Sequence, residues 1–230
     1  MLLSRTAEFR KLSSSVSISI REGELVLRTL SRKSDMEKAF RLRHRIFSEE
    51  LRWVAPSSDA QERDDYDNGA VFFGVFDRHN RLMAFLRLIR SENTFMLEGE
   101  FPYLLGKEVV LRKGKDAAEI SRLCVDPEAR TNRISGNFGV HYVSMLLYKG
   151  VYQCCLRIGI RYLYLVVDRK IYRLLCAKGF PCVALKEPKE MEDGVLAIAA
   201  VLDWRDFEVS CLRRRPEMLR WFTRCQSDRL

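Results

Sequence analysis

The sequence predicts a single α/β domain built around a mixed β-sheet. The chain has 230 residues, which suits one domain with a buried core, and 47% of the residues are hydrophobic. Segments with the two-residue period of strands alternate along the chain with segments that have the helical period of 3.6. No apolar run approaches the roughly 18 to 20 residues needed to cross a bilayer. We therefore expect a cytoplasmic protein that does not act in a membrane.

Strands are predicted where short apolar or alternating runs are bounded by turn residues. The turn Asp77-Arg-His-Asn80, for example, separates two such runs. The predicted strands span residues 25–30, 71–76, 81–90, 118–125, 161–167 and 195–202.

Helices are predicted from helical spacing and from the residues at helix ends. Ser34 and Glu37 form a capping-box pattern at the first helix, Gly179 suits the left-handed conformation that ends another, and Pro216 suits a first helical position. The predicted helices span residues 35–52, 138–157, 169–178 and 216–224. We expect one domain over residues 22–210, a loosely ordered extension at 1–21, and a basic helical tail at 211–230.

The charge composition favours an acidic partner. Lys and Arg total 40 against 31 for Asp and Glu, which gives a net charge of +9. Nucleic acid, an anionic lipid surface or an acidic protein would each suit this charge. The seven cysteines and three histidines show no spacing typical of a metal site, so no metal is expected.

An arginine on the apolar stripe of the first helix indicates a polar site. Met36, Phe40, Arg43, Phe47 and Leu51 fall on one helical face. A buried guanidinium is costly unless carboxylates neutralise it. Three aspartates follow within the next twenty-odd residues, at positions 64, 65 and 67.

Two predicted strands also carry charge on faces that should be apolar. Alternation in the strand at 81–90 places Arg87 on the same face as Met83, Phe85 and Ile89. Glu119 and Arg122 are three residues apart in the strand at 118–125, so they would face the same side only if a β-bulge intervenes.

These residues together resemble the acyl-homoserine-lactone synthases, the LuxI-type autoinducer synthases. The family pattern combines arginines, aromatic residues and acids in a fixed order, and the resemblance covers roughly residues 24–203. The matching residues are Arg43, Phe47, Trp53, Asp64, Asp67, Arg87, Phe101, Glu119 and Arg122. The resemblance implies a GNAT-like fold, a three-layer αβα sandwich whose central mixed sheet is splayed.

The resemblance also implies an acyltransferase reaction. The family joins an acyl thioester to S-adenosylmethionine and releases methylthioadenosine, with no permanently bound cofactor. Glu119 is the expected base, and Arg122, Asp64 and Asp67 complete the expected catalytic set. The expected binding residues for S-adenosylmethionine are Arg43, Phe47, Trp53, Arg87 and Phe101.

The acyl donor is expected to be acyl carrier protein, which is acidic, or acyl-CoA. Basic contacts to the carrier or its phosphopantetheine are expected at Arg130, Arg133, Lys149 and Arg157. The expected lining of the acyl-chain pocket is Leu123, Met145, Leu146, Leu165 and Leu175. In the family a threonine at the position of Leu165 often accompanies 3-oxo-acyl chains, so a chain without the 3-oxo group is expected.

Three other functions remain open at this stage. An N-acyl amino acid synthase would use the same kind of acyl donor but a free amino acid, and it would form no lactone. A basic nucleic-acid-binding module would account for the net charge and for Arg213-Arg-Arg215, although no binding motif is present. A catalytically silent relative that serves as a binding partner is the third alternative, and the intact set of nine family positions argues against it.

Overall fold

The computed structural model describes residues 16–131, 133–136 and 139–224, with the backbone alone at 133–136 and 139–141. Its strands are β1 (Ser19–Glu22), β2 (Leu25–Thr29), β3 (Val71–Phe76), β4 (Leu82–Arg90), β5 (Ala117–Val125), β6 (Arg133–Gly136), β7 (Gly139–Tyr142), β8 (Tyr162–Asp168), β9 (Val183–Ala184), β10 (Lys189–Glu190) and β11 (Leu196–Asp203). Its α-helices are α1 (Lys33–Arg43), α2 (Met96–Gly99), α3 (Val143–Ile158), α4 (Arg169–Ala177), α5 (Trp204–Arg214) and α6 (Pro216–Thr223).

The chain forms two compact units. Among the described residues, the first unit holds those within 16–88, 122–154 and 222–224, and the second holds 89–121 and 155–221. Strands β4 and β5 each cross from one unit to the other, because the unit boundaries fall inside them.

The first unit contains an antiparallel ladder in the order β1, β2, β3, β4. All six residues of β3 are buried, as are the first eight of β4, so these strands have no solvent face. The ring of Phe72 in β3 packs edge-on against Phe40 of α1 at 6.1 Å and Phe85 of β4 at 5.3 Å between centroids. Gly150 lets α3 approach β2, because a Cβ there would lie 2.5 Å from the methyl groups of Leu27.

The second unit combines parallel and antiparallel pairing. Residues Ala117–Ile120 of β5 run parallel to Tyr162–Leu165 of β8. Strand β11 is antiparallel to β8 on one side and pairs with the short β9 and β10 on the other. The stacked rings of Phe180 and Phe207, 5.1 Å apart, pack under these strands with Trp204. The predicted α/β class with a mixed sheet is confirmed.

Two predicted boundaries near the start of the chain differ from the structure. Helix α1 begins at Lys33 after Arg32, with no side-chain cap, so Ser34 lies in its first turn and does not open it. The end of the predicted extension 1–21 holds β1, because the alternating Val16, Ile18 and Ile20 are buried. Residues 1–15 of that extension lie outside the described residues.

The predicted helix at 138–157 begins later than expected, at Val143. The preceding residues form a short antiparallel hairpin of β6 and β7, in which Gly136 pairs with Gly139. Glycine disfavours a helix because its backbone loses more conformational freedom on folding than that of other residues. Residue 138 itself lies outside the described part of the chain.

Helix α5 was not predicted, although its sequence carries a capping residue at the start and apolar residues at helical spacing. The carboxylate of Asp203 accepts a hydrogen bond from the N–H of Arg205 at 2.9 Å, which caps the helix. Trp204, Phe207 and Cys211 recur at helical spacing and are buried. By contrast, Gly179 has φ +97° just after α4, as predicted. Within the described residues, no helix is both long enough and apolar enough to traverse a bilayer.

Candidate active site

Arg43 is the last residue of α1, and its side chain is completely buried in the first unit. The rings of Phe40 and Phe85 lie 5.5 and 5.8 Å from its guanidinium carbon, so apolar and aromatic groups surround much of the charge. After Arg43 the chain continues as a π-helix over His44–Glu50. Segments of this wider helix occur often at functional sites.

Three carboxylates neutralise Arg43. Its Nε donates a short hydrogen bond to Glu62, and its Nη1 donates to Oδ1 of Asp67 at 2.6 Å. Oδ2 of Asp64 lies 3.7 Å from Nη2. Burial alone would lower the pKa of Arg43, but the hydrogen bond to Glu62 and the charges of Asp67 and Glu62 raise it above its ordinary value.

Arg87 binds two of the same acids from β4. Its Nη1 donates to Oδ1 of Asp67 at 2.6 Å and makes a short bond to Asp64. Burial opposes the ionisation of Asp64, but its hydrogen bond to Arg87 and the charges of Arg122 and Arg43 lower its pKa below the ordinary value of 3.8. Asp64 is therefore ionised at neutral pH.

The acidic loop is held in shape by its own backbone and by α1. The N–H of Asp64 donates to Oδ2 of Asp67 at 3.0 Å, and the N–H of Asp67 donates to the carbonyl oxygen of Asp64 at 3.1 Å. Upstream, the N–H of Glu62 donates to the carbonyl oxygen of Phe40 at 3.1 Å. These bonds hold the backbone of the loop and the carboxylate of Asp67 in place.

Arg122 completes the cluster from β5. Its Nε and Nη2 each lie 3.1 Å from Oε1 of Glu62, and Nη2 lies 2.8 Å from Oδ2 of Asp64. The backbone of Arg122 has φ +53°, a left-handed conformation that costs a non-glycine residue about 1 kcal/mol. The extended backbone of β5 is therefore broken at Arg122, and the β-bulge on which a shared face of Glu119 and Arg122 depends stays a prediction.

The acid–arginine cluster thus contains Arg43, Arg87, Arg122, Glu62, Asp64 and Asp67. Its three positive and three negative charges balance. The side chains of Arg43 and Arg87 are 0% exposed, whereas those of Asp64 and Arg122 are 19% and 15% exposed. Arg43 and Arg87 do not reach solvent and are bound to the acids of the cluster, and their predicted contact with S-adenosylmethionine stays a prediction. Asp64 and Arg122 form the accessible side.

Phe47 and Trp53 lie beside this accessible side. The guanidinium carbon of Arg122 lies 5.4 Å from the centre of the Phe47 ring. The rings of Phe47 and Trp53 stack 6.2 Å apart, and the N–H of Trp53 donates to the carbonyl oxygen of Phe47 at 2.8 Å. Phe47 is buried, but Trp53 is 49% exposed. Trp53 can therefore offer an aromatic surface to a bound molecule.

Glu119 and Phe101 belong to the second unit. The carboxylate of Glu119 is 1% exposed and accepts backbone hydrogen bonds from Met96 at 2.5 Å and Leu97 at 3.2 Å. Those donors open α2, so the carboxylate is held at a helix start. Phe101 is half-buried and packs edge-on against Tyr103.

The residues predicted to line an acyl pocket are divided between the units. Leu123, which is half-buried, and the fully buried Met145 and Leu146 belong to the first. Leu165 and Leu175 are buried in the second. Each of the four buried side chains also fits an ordinary core position.

One of the four predicted basic contacts is wrong. Lys149 is 0% exposed, and its ammonium group binds the carboxylate of Glu22, so it is not available to a carrier protein. Arg130 is partly exposed and forms an ion pair with Glu50 at 2.7 Å. Arg157 is exposed. The side chain of Arg133 lies outside the described residues.

Glu62 is the cluster residue that the sequence analysis missed. It stands two residues before Asp64 at the start of the acidic run, so the same neutralisation argument applied to it. Burial opposes its ionisation, but the hydrogen bond to Arg43 and the charges of Arg43 and Arg122 lower its pKa below 4.5. The predicted Asp65 is exposed instead.

The family model and the curated relatives give one consistent family. A family model described as autoinducer synthase matches residues 28–212. The acyl-homoserine-lactone synthase of Aeromonas hydrophila is 29% identical over 157 residues, which cover 68% of this chain and 74% of the relative. That of Rhizobium radiobacter is 28% identical over 181 residues, which cover 77% of this chain and 84% of the relative.

A solved structure shows the same fold. It is BjaI, a CoA-dependent acyl-homoserine lactone synthase, with S-adenosylmethionine and isopentyl-CoA. The match has a TM-score of 0.67 at 23% identity and covers 80% of this chain and 87% of that one.

Proposed function

Because the chain belongs to the autoinducer synthase family, whose members are acyltransferases, we propose that it makes an acyl-homoserine lactone from S-adenosylmethionine and an acyl thioester. Family membership confirms the resemblance seen in the sequence, and the solved structure confirms the GNAT-like fold. The observation that supports the reaction most is the acid–arginine cluster, whose accessible side presents a carboxylate and a guanidinium together.

In the first step, the amine of S-adenosylmethionine attacks the thioester carbonyl carbon. A C–N bond forms, the C–S bond breaks, and the thiol leaves with a proton. An α-ammonium group has a pKa near 8, so it must lose a proton before it can attack. Glu119 is proposed to accept that proton through a water molecule, because its carboxylate is 1% exposed and is bound to two backbone N–H groups.

The cluster is proposed to hold the donor in the orientation for attack. S-adenosylmethionine carries an ammonium and a sulfonium, which favour the carboxylates of Asp64 and Asp67, and a carboxylate, which favours Arg122. Trp53, with Phe47 stacked beneath it, suits the sulfonium or the adenine. Phe101 is proposed to form part of the wall of the donor pocket.

In the second step, the donor carboxylate closes the lactone. One of its oxygens attacks the carbon next to the sulfonium, a C–O bond forms, and the C–S bond breaks. The electron pair of the broken C–S bond goes to the sulfur and neutralises the sulfonium, while the carboxylate loses its negative charge in the lactone. Methylthioadenosine therefore leaves as a neutral molecule. An arginine at the carboxylate orients it for this attack.

The acyl donor is proposed to be an acyl carrier protein or acyl-CoA. Both carry phosphate on the phosphopantetheine arm, which Arg130, Arg133 or Arg157 would attract. The proposed acyl slot is lined by Leu123, Met145, Leu146, Leu165 and Leu175. The bulky apolar Leu165 favours a chain without a 3-oxo group over one whose carbonyl needs a hydrogen-bond donor.

The test incubates the purified protein with S-adenosylmethionine and a panel of acyl carrier proteins and acyl-CoAs. Mass spectrometry then follows methylthioadenosine and acylated products. Equal amounts of acyl-homoserine lactone and methylthioadenosine are expected, and we expect Asp64→Asn and Glu119→Gln to lower kcat roughly 100-fold or more. The exposed Asp59→Asn and Glu24→Gln are matched controls that should keep full activity.

The competing function gives a different product. If the protein acylates a free amino acid and releases no methylthioadenosine, it is an N-acyl amino acid synthase and the lactone proposal is wrong. If no thioester is consumed with any acceptor, the chain is a catalytically silent relative.

A further inference from the structure

We propose that Glu62 is a positioning residue that sets the orientation of Arg122, and that it acts on the reaction only through Arg122. This inference rests on the proposed function, because it concerns the arginine that would meet the donor carboxylate. The four observations that carry it are the burial of Glu62, the contacts of its two oxygens, the exposure of Arg122, and the backbone conformation at Arg122.

Glu62 cannot itself touch a substrate. Its side chain is 2% exposed, and both carboxylate oxygens already accept bonds from guanidinium groups. Oε2 accepts a hydrogen bond from Nε of Arg43. Nε and Nη2 of Arg122 each lie 3.1 Å from Oε1. One buried carboxylate therefore connects an arginine that cannot reach solvent with one that can.

Arg122 is the arginine of the cluster that can contact a donor. Its side chain is 15% exposed, whereas those of Arg43 and Arg87 are fully buried. Two of its nitrogens lie on the same oxygen of Glu62, which fixes the plane of the guanidinium more tightly than a single bond would. Asp64 at 2.8 Å then fixes its other side.

The backbone at Arg122 needs such support. A non-glycine residue at φ +53° within a strand is held there only when its surroundings favour it. Glu62 is itself anchored by its N–H to the carbonyl oxygen of Phe40 in α1. The carboxylate therefore ties the left-handed residue of β5 to the helix that carries Arg43.

The alternative is that Glu62 only neutralises Arg43 and so only stabilises the fold. The two roles differ in what Glu62→Gln does to catalysis. The amide keeps the shape of the side chain but loses the charge. One of the two oxygens that accept hydrogen bonds from the guanidinium groups is replaced by an NH2 group, which can only donate. A positioning role predicts a kcat roughly 10- to 100-fold lower per folded molecule, because small misplacements of a reacting group have effects of this size. A purely structural role predicts lower thermal stability and unchanged kcat.

A double-mutant cycle tests whether Glu62 acts on the reaction through Arg122. On an Arg122→Gln background, Glu62→Gln should lower kcat by less than about twofold, since the group it positions is already gone. An equal loss in both backgrounds would overturn the proposal. Glu24→Gln, a charge-matched exposed variant, should change kcat in neither background.

Nitrogen NMR of the full chain gives a readout that needs no activity. The Nε–H signal of Arg122, assigned with Arg122→Lys, should exchange slowly with solvent in the wild type and quickly in Glu62→Gln. Fast exchange in the wild type would refute the proposal even if Glu62→Gln does not fold. If the wild type releases no methylthioadenosine from any donor, the proposed function fails, while this signal still decides whether Glu62 holds Arg122.

Discussion

At the scale of single residues, the acid–arginine cluster is a costly arrangement. Removing six charges from water carries a penalty of several kcal/mol per ion, which the mutual attraction offsets only with good geometry. Apolar residues of similar volume often stabilise a fold equally well or better. The cluster of Arg43, Arg87, Arg122, Glu62, Asp64 and Asp67 is therefore better explained by what its accessible side can bind than by stability.

The ionised carboxylates should make stability depend on pH in the acid range. The pKa of Glu62 lies below 4.5 in the folded protein, so its contribution is complete above that pH and is lost as the pH falls through the lower folded value. We expect the difference in unfolding free energy between wild type and Glu62→Gln to be largest above about pH 5 and to shrink as the pH falls below 4.5. Urea unfolding at a series of pH values measures it.

The exposed Glu24→Gln is the control for this pH series. Its ion pair with Arg78 lies at the surface, where such pairs contribute about 0 to 1 kcal/mol. Its unfolding free energy should therefore stay close to that of the wild type throughout. A difference for Glu62→Gln that does not change with pH would contradict the assignment of an ionised, paired carboxylate.

The individual site residues were predictable where a charge broke an apolar pattern. Arg43 and Arg87 stood out because each occupies a position that helical or strand periodicity assigns to the core. Glu62 was missed because the family pattern contains Asp64 and Asp67 but not the glutamate two residues before them. The burial of Lys149 was missed because its partner Glu22 is 127 positions away in the chain.

At the scale of elements, the helix predicted at 35–52 is α1 followed by the π-helix over His44–Glu50. The apolar spacing predicted one helix because the departure from α-helical hydrogen bonding is confined to these seven residues. The wider turn is visible in the bond from the N–H of Leu51 to the carbonyl oxygen of Ile46 at 2.9 Å. Sequence periodicity cannot reveal that the hydrogen bonds of this segment span five residues where those of an α-helix span four. Phe47 lies in this segment.

The buried ion pair between β1 and α3 should stabilise the first unit. Lys149 is 0% exposed and Glu22 is 12% exposed, so Glu22→Ala would remove the carboxylate from a buried ammonium. We expect a loss of about 3 kcal/mol in the free energy of unfolding, because removing one partner of a buried ion pair is strongly destabilising. Lys149→Met, which removes that charge and keeps much of the volume, should lose less.

Kinetics distinguish this structural role from the carrier contact that the sequence suggested. Lys149→Met should leave the KM for an acyl carrier protein donor unchanged at a temperature where the variant is folded. Urea unfolding followed by circular dichroism supplies the stability values. A several-fold rise in KM with little loss of stability would instead restore Lys149 as a contact of the carrier.

At the scale of the whole molecule, the family was predictable because nine residues match the family pattern in order and spacing. The fold was predictable because the order of strands and helices can be derived from the hydrophobic periodicity. The division into two compact units was not predictable, since it depends on which segments pack together and leaves no mark in composition. The net charge of +9 is also a property of the whole chain. It attracts acidic partners in general and does not choose among them.

An acidic carrier protein should therefore be recognised with a strong dependence on salt. Raising the ionic strength from about 0.1 to about 1 M shortens the Debye length from about 10 to about 3 Å. We expect the KM for an acyl carrier protein donor to rise several-fold while kcat changes little, because screening weakens the encounter and not the chemistry. Exposed Arg157→Gln should reduce this dependence, and exposed Arg205→Gln, outside the predicted contacts, should not. A KM that is insensitive to salt would exclude electrostatic recognition of the carrier and favour a small thioester held within the fold.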